Sequence, residues 1–375
     1  MVVLVSLTLG SARRIVIKIG SALVVDPRTA TPRAGWMAGV AADVAGLRAG
    51  GAEVVLVSSG AVALARRALG LTRRTLRLEE KQAAAAVGQI RLAGAWQEAL
   101  AGHGLNAAQV LLTLAESEDR RRYLNARATL NTLIELNCIP VINENDTVAT
   151  TEIRFGDNDR LAARVAEMIS ADALVLLSDI DGLYTADPRR DPQAQHIPHV
   201  ARITDEIMAM GGEPPPGYSS GGMRTKLIAA RIPTGTGCAM AIARGDVDHP
   251  IAALAAGGRC TWFAPAPEGR NARKSWIAGS LAPLGVLLVD DGAARALRTG
   301  RSLLPAGVRE VQGQFQRGDA VSVRDARGTE LARGLSAYDS ADAAIIAGHR
   351  SDAIEALLGW RGRDELIHRD DLVLL

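Results

Sequence analysis

The sequence predicts an α/β fold: a three-layer αβα sandwich with a mainly parallel central sheet, followed by a small, mostly β domain. Between about residues 14 and 264, short β-branched runs alternate with longer Ala-rich stretches. Each run is apolar throughout, as is typical of strands that helices cover on both faces. Over residues 263–285 the composition changes to Pro, Gly and basic residues, and short strand-like pieces with frequent turns follow.

The individual elements follow from these patterns. The six predicted strands of the sheet are residues 15–19, 54–57, 109–112, 139–142, 174–177 and 239–242. One helix is marked by a single apolar stripe at a period of 3.6 residues, with Asp157 or a neighbour as its cap; the stripe consists of Leu161, Val165, Met168 and Ile169. The second domain has four predicted strands, residues 286–289, 308–311, 320–323 and 329–333.

The domain organisation follows from the same change of composition. The expected pieces are an N-terminal extension (1–12), an α/β domain (13–265), a linker (266–284), a small β domain (285–368) and a C-terminal tail (369–375). A length of 375 residues fits two domains.

Composition and charge exclude several classes of protein. A hydrophobic content of 48% with 22% charged residues excludes a disordered chain. The sequence has no run of about 18 uncharged apolar residues, so it predicts no membrane-spanning helix. A net charge of +2 and 3% aromatic residues argue against a nucleic-acid partner. Cys138, Cys238 and Cys260 lack metal-ligand spacing and read as small buried thiols in a reducing compartment. The apolar start carries no signal-peptide pattern, so we expect a cytoplasmic protein.

Polar clusters follow the predicted strands, at the sheet edge where open parallel sheets bind ligands. Lys18 near the end of the first strand and Gly20 just after it suit a phosphate, although a solvated edge lysine is the competing interpretation. Residues 58–61 present a helix N-terminus or an ordinary serine cap. Acid-amide clusters at 143–147 and 156–159 can hold an ammonium group, organise cations or form turns.

Two further clusters complete this edge. Ser178 and Asp179 end the fifth strand, and a glycine-rich loop with its own lysine, residues 219–226, leads into a helix. A P-loop and a G-x-G-x-x-G turn are absent from the sequence, which argues against Walker-type NTPases and Rossmann dehydrogenases. The six histidines follow none of these strands directly and read as surface or packing residues.

The succession KIGSA, SSGAV, NENDTVAT, FGDNDRLAA, SDIDGLYTADPR and GGMRTK closely resembles the glutamate 5-kinase family of the amino-acid kinase superfamily. The segments GVLLVDDGAARAL, SLLPAGV and IHRDDLVLL resemble the PUA domain of bacterial members. The resemblance covers nearly the whole chain after about residue 13. It implies ATP-dependent phosphorylation of the side-chain carboxylate of L-glutamate to L-glutamyl 5-phosphate, the first step of proline biosynthesis.

The resemblance also implies roles for individual residues. Lys18 and Lys226 match the two catalytic cations, and Asp159 the acid that orients them. Gly20 and Gly60 match positions that keep the backbone close to phosphate and substrate. The matched glutamate-binding positions are Ser59, Asp146 and Asn158. The matched nucleotide-binding positions are Lys18, Gly20, Ser178, Asp179, Ser220, Gly221, Gly222, Met223, Arg224, Thr225 and Lys226. Mg²⁺ is expected to enter with the nucleotide, so no metal residue is assigned.

The chain departs from the family pattern at Ser219 and Ser220, where many relatives have Gly-Thr, and at Arg224, which replaces a small residue and bears on nucleotide affinity. Proline as a feedback inhibitor, a dimer or tetramer, and a glutamyl-phosphate reductase as partner are further family expectations. The alternatives are an amino-acid kinase for aspartate, carbamate or acetylglutamate, and an RNA-binding role of the PUA domain. The net charge of −2 over residues 285–375 argues against RNA.

Overall fold

The computed structural model describes residues 9–71, 75–113, 119–148, 158–212, 222–267 and 283–375. The chain divides into two compact units, Met1–Gly269 and Arg270–Leu375. Each unit has its own sheet and its own hydrophobic core.

The first unit is built on an eight-stranded sheet, whose strands are β1 (Arg14–Ile19), β2 (Glu53–Ser58), β3 (Asn106–Leu112), β4 (Cys138–Glu144), β5 (Ala173–Ser178), β8 (His199–Val200), β9 (Ala239–Arg244) and β10 (Cys260–Phe263). Their order across the sheet is β3-β4-β2-β1-β5-β9-β10-β8. A two-stranded hairpin, β6 (Leu183–Tyr184) with β7 (His196–Ile197), stands apart from the sheet. The six neighbouring strands β3, β4, β2, β1, β5 and β9 are parallel, whereas β10 runs antiparallel to β9 and parallel to β8. The predicted mainly parallel sheet is confirmed.

Helices cover both faces of this sheet. They are α1 (Ser21–Val24), α2 (Ala34–Ala49), α3 (Ala61–Arg66), α4 (Leu78–Ala101), α5 (Arg120–Glu135), α6 (Asn158–Met168), α7 (Asp205–Met210), α8 (Met223–Gly235) and α9 (Pro250–Ala255). Ile15 and Ile17 of β1 point into a core shared with α2, α3, α4 and α9. Val16 points into the opposite core, shared with α5, α6 and α8. The predicted αβα sandwich is therefore confirmed.

The apolar stripe predicted for α6 is buried along its whole length, from Leu161 to Ile169. The helix is amphipathic because this stripe repeats every 3.6 residues and packs on the sheet. Its predicted cap, Asp157, lies outside the described residues.

The order of the strands defines where a ligand can bind. From β1 the chain moves to one side through β2, β3 and β4, and then returns across the sheet to β5 on the other side of β1. Such a reversal opens a crevice at the carboxyl ends of the central strands. This edge carries the ends of β1, β2, β4 and β5.

The second unit has a five-stranded sheet of order β12-β11-β13-β14-β15. Its strands are β11 (Gly285–Val289), β12 (Val308–Gly313), β13 (Ala320–Arg324), β14 (Glu330–Leu335) and β15 (Leu372–Leu374), and its helices are α10 (Asp291–Arg298), α11 (Ser340–Ile346) and α12 (Ile354–Leu358). Only β11 and β13 pair in parallel. Residues 372–374 lie in the stretch expected to be a tail, but they pair with β14 because Leu372 is buried in the core of this unit.

Two smaller expectations are refined by the structure. At the end of the expected N-terminal extension, Leu9 begins a short 3₁₀ helix and is buried in the first core. The expectation of buried thiols holds for Cys238 but is wrong for Cys138 and Cys260, which are partly exposed. In the described parts of the chain, no helix combines the length and the apolar character that crossing a membrane requires.

Candidate active site

A buried ion triad lies where the structure brings β1, α6 and α8 together. Lys18 Nζ lies 2.6 Å from Asp159 Oδ1, and Lys226 Nζ donates to Asp159 Oδ2 at 2.8 Å. Asp159 is 1% exposed and both lysines are more than nine-tenths buried. One carboxylate therefore holds two ammonium groups at a fixed separation, with one positive charge in excess.

The protonation state of this triad follows from its surroundings. Burial raises the pKa of Asp159, but the charges and hydrogen bonds of Lys18 and Lys226 more than offset that effect and lower the pKa to about 2. Asp159 is thus a carboxylate throughout the neutral range. It holds the two lysines in place without acting as a base.

Next to the triad, a chain of polar side chains crosses the site. Asn158 Nδ2 donates to Ser59 Oγ at 2.5 Å and to Asn143 Oδ1 at 3.1 Å. Asn143 Nδ2 donates in turn to Gln89 Oε1 of α4 at 2.7 Å. The ends of β2 and β4 and the first residue of α6 are joined in this way. Asn158 Oδ1 is buried and has no hydrogen-bond partner in the described part of the chain.

Local backbone geometry places Ser59 at this edge. Gly60 follows with a φ of +122°, a conformation that favours glycine, and it is the N-cap residue of α3. Ser58 is fully buried, and its Oγ accepts a hydrogen bond from Trp96 Nε1 of α4 at 2.9 Å. Gly20 lies beside the triad, because a Cβ added there would lie 3.9 Å from Lys18 Nζ.

Asp146 lies in the turn after β4 and is half-buried. Burial raises the pKa of its carboxyl group, and the charge of Lys81 on α4 opposes that shift. The ammonium group of Lys81 on α4 therefore acts on the carboxylate of Asp146 in the turn that follows β4.

The expected nucleotide-binding residues fall into two groups. Ser178 Oγ donates to Asp179 Oδ1 at 3.1 Å, and Arg189 pairs with Asp179 at 2.8 Å. Burial raises the pKa of Asp179, but the hydrogen bonds from Arg189 and Ser178 and the charge of Arg189 bring it below its usual range.

The second group leads into α8. Gly222 is the N-cap residue of this helix, no side chain caps it, and its first turn has no acidic residue. Thr225 Oγ donates to the Gly222 carbonyl at 2.8 Å, and Arg224 is exposed. Backbone N–H groups at such a terminus suit an anion. Ser219, Ser220 and Gly221 lie outside the described residues.

Lysine is rare in this chain, and its positions are informative. Of 43 basic residues only four are lysines: Lys18, Lys81, Lys226 and Lys274. Two form the triad and a third acts on Asp146, whereas Lys274 lies outside the described residues. An ammonium group is a compact point charge that suits such a confined place better than a guanidinium group does. The use of lysine is a sequence signal that points to this site.

In the described residues, no group of three or more His, Cys, Asp or Glu side chains is arranged as a metal site. The arrangement at the edge is instead suited to oxyanions, because it combines two buried ammonium groups with a helix N-terminus that no described side chain caps.

Comparison with known proteins shows the family of the chain. The family model "Amino acid kinase family" matches residues 13–244, and the model "PUA domain" matches residues 285–358. The chain is an amino acid kinase with a C-terminal PUA domain. UMP kinase from Ureaplasma parvum aligns with 67% of this chain and 98% of its own at a TM-score of 0.48 and 15% identity, a likeness too low to carry a functional inference.

Much closer relatives define the particular family. Glutamate 5-kinase from Paramagnetospirillum magneticum is 63% identical over 366 residues, which cover 98% of this chain and 99% of the relative. Glutamate 5-kinase from Gluconobacter oxydans is 64% identical over 366 residues, which cover 98% of this chain and 97% of the relative. Glutamate 5-kinase from Rhodospirillum rubrum is 63% identical over 358 residues, 96% of each chain. The chain belongs to the glutamate 5-kinase family.

Proposed function

We propose that this protein transfers the γ-phosphoryl group of ATP to the side-chain carboxylate of L-glutamate, producing L-glutamyl 5-phosphate and ADP in the first step of proline biosynthesis. The observation that carries the proposal is the buried triad of Lys18, Asp159 and Lys226 at the carboxyl edge of the sheet. Family membership supports the choice of glutamate over other acceptors.

The chemistry needs charge neutralisation and alignment more than proton transfer. A carboxylate is already ionised at neutral pH, so no general base has to remove a proton from it. One of its oxygens attacks the γ-phosphorus, and the bond from that phosphorus to the bridging oxygen of the β-phosphate breaks, so that ADP leaves. Negative charge is then shared between the transferred group and the leaving group, and positioned cations stabilise it.

Lys18 and Lys226 suit that task because Asp159 holds both ammonium groups in fixed positions before the substrates arrive. Preorganised charges of this kind need little rearrangement as the reaction proceeds. We assign the nucleotide to Ser178, Asp179 and the N-terminus of α8, where backbone N–H groups favour phosphate. Mg²⁺ bound to the nucleotide phosphates supplies further neutralisation, and we assign it no protein ligand.

Glutamate is assigned to the other side of the triad. Ser59, Asn158 and Asp146 supply a hydroxyl group, an amide and a carboxylate at the ends of β2 and β4 and the start of α6. Such polar groups suit an amino acid, which carries both an ammonium and a carboxylate. Gly60, with a φ of +122°, directly follows Ser59 and forms the turn into α3.

A hydroxamate assay tests the proposal. With ATP, Mg²⁺, hydroxylamine and L-glutamate, the acyl phosphate is trapped as glutamyl hydroxamate. We expect product from L-glutamate in preference to aspartate, carbamate or acetylglutamate, and none from a folded Lys226→Ala variant. Preference for another acceptor, or full activity without Lys226, contradicts the assignment.

Membership of the family is also the basis for proposing regulation and partners. We propose feedback inhibition by proline, assembly into a dimer or tetramer, and capture of the labile acyl phosphate by a glutamyl-phosphate reductase. Added proline should raise the KM for L-glutamate, and unchanged glutamate kinetics would remove the first of these proposals. Light scattering on the purified chain tests the second.

A further inference from the structure

We propose that Gln89 of α4 is a positioning residue that sets the direction of hydrogen bonding in the substrate pocket and thereby selects an acceptor bearing an ammonium group. The inference rests on the proposed function, because it concerns how glutamate is held. Gln89 is half-buried, and its side chain accepts a hydrogen bond from one described residue of the site, Asn143.

The first step is the bond between these two amides. Gln89 Oε1 accepts from Asn143 Nδ2 at 2.7 Å. Asn143 is 3% exposed and lies in β4, so its side chain is confined. Because its amide nitrogen faces Gln89, its Oδ1 faces Asn158 and accepts from Asn158 Nδ2 at 3.1 Å.

The second step fixes the orientation of Asn158. An amide nitrogen has two hydrogens, and both are used here, one on Asn143 Oδ1 and one on Ser59 Oγ. Asn158 Oδ1 is thereby turned away from both neighbours. It is a buried acceptor without a protein donor in the described residues, on a side chain that is 7% exposed. A buried acceptor of this kind favours a ligand that donates to it.

The third step concerns Ser59. Since Ser59 Oγ accepts from Asn158, its own hydroxyl hydrogen remains to be donated. The series of hydrogen bonds thus starts at the acceptor on Gln89. It leaves two groups for a ligand: one acceptor, Asn158 Oδ1, and one donor, the Ser59 hydroxyl. An ammonium group complements the acceptor, and a carboxylate oxygen complements the donor. If every bond ran in the opposite direction, Asn158 would present N–H groups to the ammonium and repel it.

Helix α4 is anchored where this role requires it. Gly88, the residue before Gln89, packs directly on Ala61 at the start of α3. Seven residues after Gln89, Trp96 donates to the buried Ser58 Oγ. The helix therefore holds the end of β2 through Trp96 and the end of β4 through Gln89. Gln89 acts on the substrate only through Asn143 and Asn158.

Three variants test this inference in the full-length protein. Gln89→Met removes the acceptor at similar length, whereas Gln89→Glu keeps a group that can only accept. Gln97→Met makes the same exchange at an exposed position of the same helix and serves as the control. The measurements are KM for L-glutamate, KM for ATP, kcat, and the Ki of glutarate, which is glutamate without its ammonium group.

We expect Gln89→Met to raise the KM for L-glutamate on the order of tenfold, the usual effect of losing a hydrogen bond to a charged group. The Ki of glutarate and the KM for ATP should stay close to those of Gln97→Met, whereas the thermal unfolding midpoint should fall, because the buried Asn143 Nδ2 loses its acceptor. Gln89→Glu should restore most of the preference for glutamate over glutarate. Equal weakening of glutamate and glutarate, or no change in either, would overturn the inference. A wild-type protein that does not phosphorylate glutamate would instead refute the proposed function.

Discussion

Gly88 of α4 packs so closely on Ala61 of α3 that a Cβ at position 88 would lie 1.7 Å from the Ala61 carbonyl oxygen. The carbonyl belongs to the backbone and cannot turn aside as a side chain can. The two helices can approach to this distance only because residue 88 is a glycine. The same approach brings Gln89 towards β4.

Replacing Gly88 by alanine should therefore force α4 away from α3. We expect a loss of about 1–3 kcal/mol in the free energy of unfolding, the usual cost of overpacking, together with a raised KM for L-glutamate. Urea denaturation and steady-state kinetics measure the two effects. Gly94→Ala is the matched control, because nothing lies within 4 Å of its added Cβ. It should gain about 0.5–1 kcal/mol from helix propensity, and equal behaviour of the two variants would contradict the packing argument.

The triad predicts that lysine and arginine are not interchangeable at position 226. A guanidinium group is larger and planar and cannot occupy the space of the Lys226 ammonium 2.8 Å from Asp159. Lys226→Arg should lower kcat about 10²-fold or more, as the removal of one positioned oxyanion donor does in other sites. Arg231→Lys, on the exposed face of the same helix, should leave kcat unchanged. Near-normal kcat in Lys226→Arg would show that charge alone, without fixed position, is sufficient.

The low pKa of Asp159 predicts how its contribution to stability depends on pH. The pKa is lowered on folding from 3.8 to about 2, so the contribution is fully present above about pH 4 and is lost as the pH falls through 2. The shift corresponds to about 2 kcal/mol, of which roughly 1 kcal/mol is lost by pH 3.

Urea unfolding of the wild type and of Asp159→Asn between pH 6 and pH 3 measures this effect. At pH 6 the free energy of unfolding of the wild type should exceed that of Asp159→Asn, and the difference between the two should narrow towards pH 3. A difference that stays constant over this range would show that Asp159 does not titrate differently in the folded chain.

Much of the fold could be predicted from the sequence, for identifiable reasons. The central strands are short apolar runs bounded by polar turns, and burial on both faces leaves a simple pattern. Strands β8 and β10 cannot be predicted from the sequence, because they have two and four residues, too few for any periodicity to be visible. Strand β15 lies in the expected tail, because its three residues follow a turn and are recognisable only by the partner with which they pair.

The site was predictable in part. Lys18, Asp159 and Lys226 could be named by resemblance, and the structure places them in contact. Gln89 could not be found in this way, because an amide on an Ala-rich helix carries no local signal and its partner lies 54 positions later in the chain. The rarity of lysine is a signal that the sequence does carry. Lys18 and Lys226, two of only four lysines in the chain, both contact Asp159, where a compact ammonium group suits the confined space.

The central position of β1 has a consequence for how this protein forms. On one side β1 pairs with β2, and on the other with β5, which is far along the chain; the carboxylate of Asp172, just before β5, accepts from the amide of Arg13, 159 positions away. Closing loops of such length is entropically costly, and chains dominated by distant contacts fold slowly. Lys18 has no counter-charge until Asp159 of α6, 141 positions later, is in place. We therefore expect activity to be among the last properties to return during refolding.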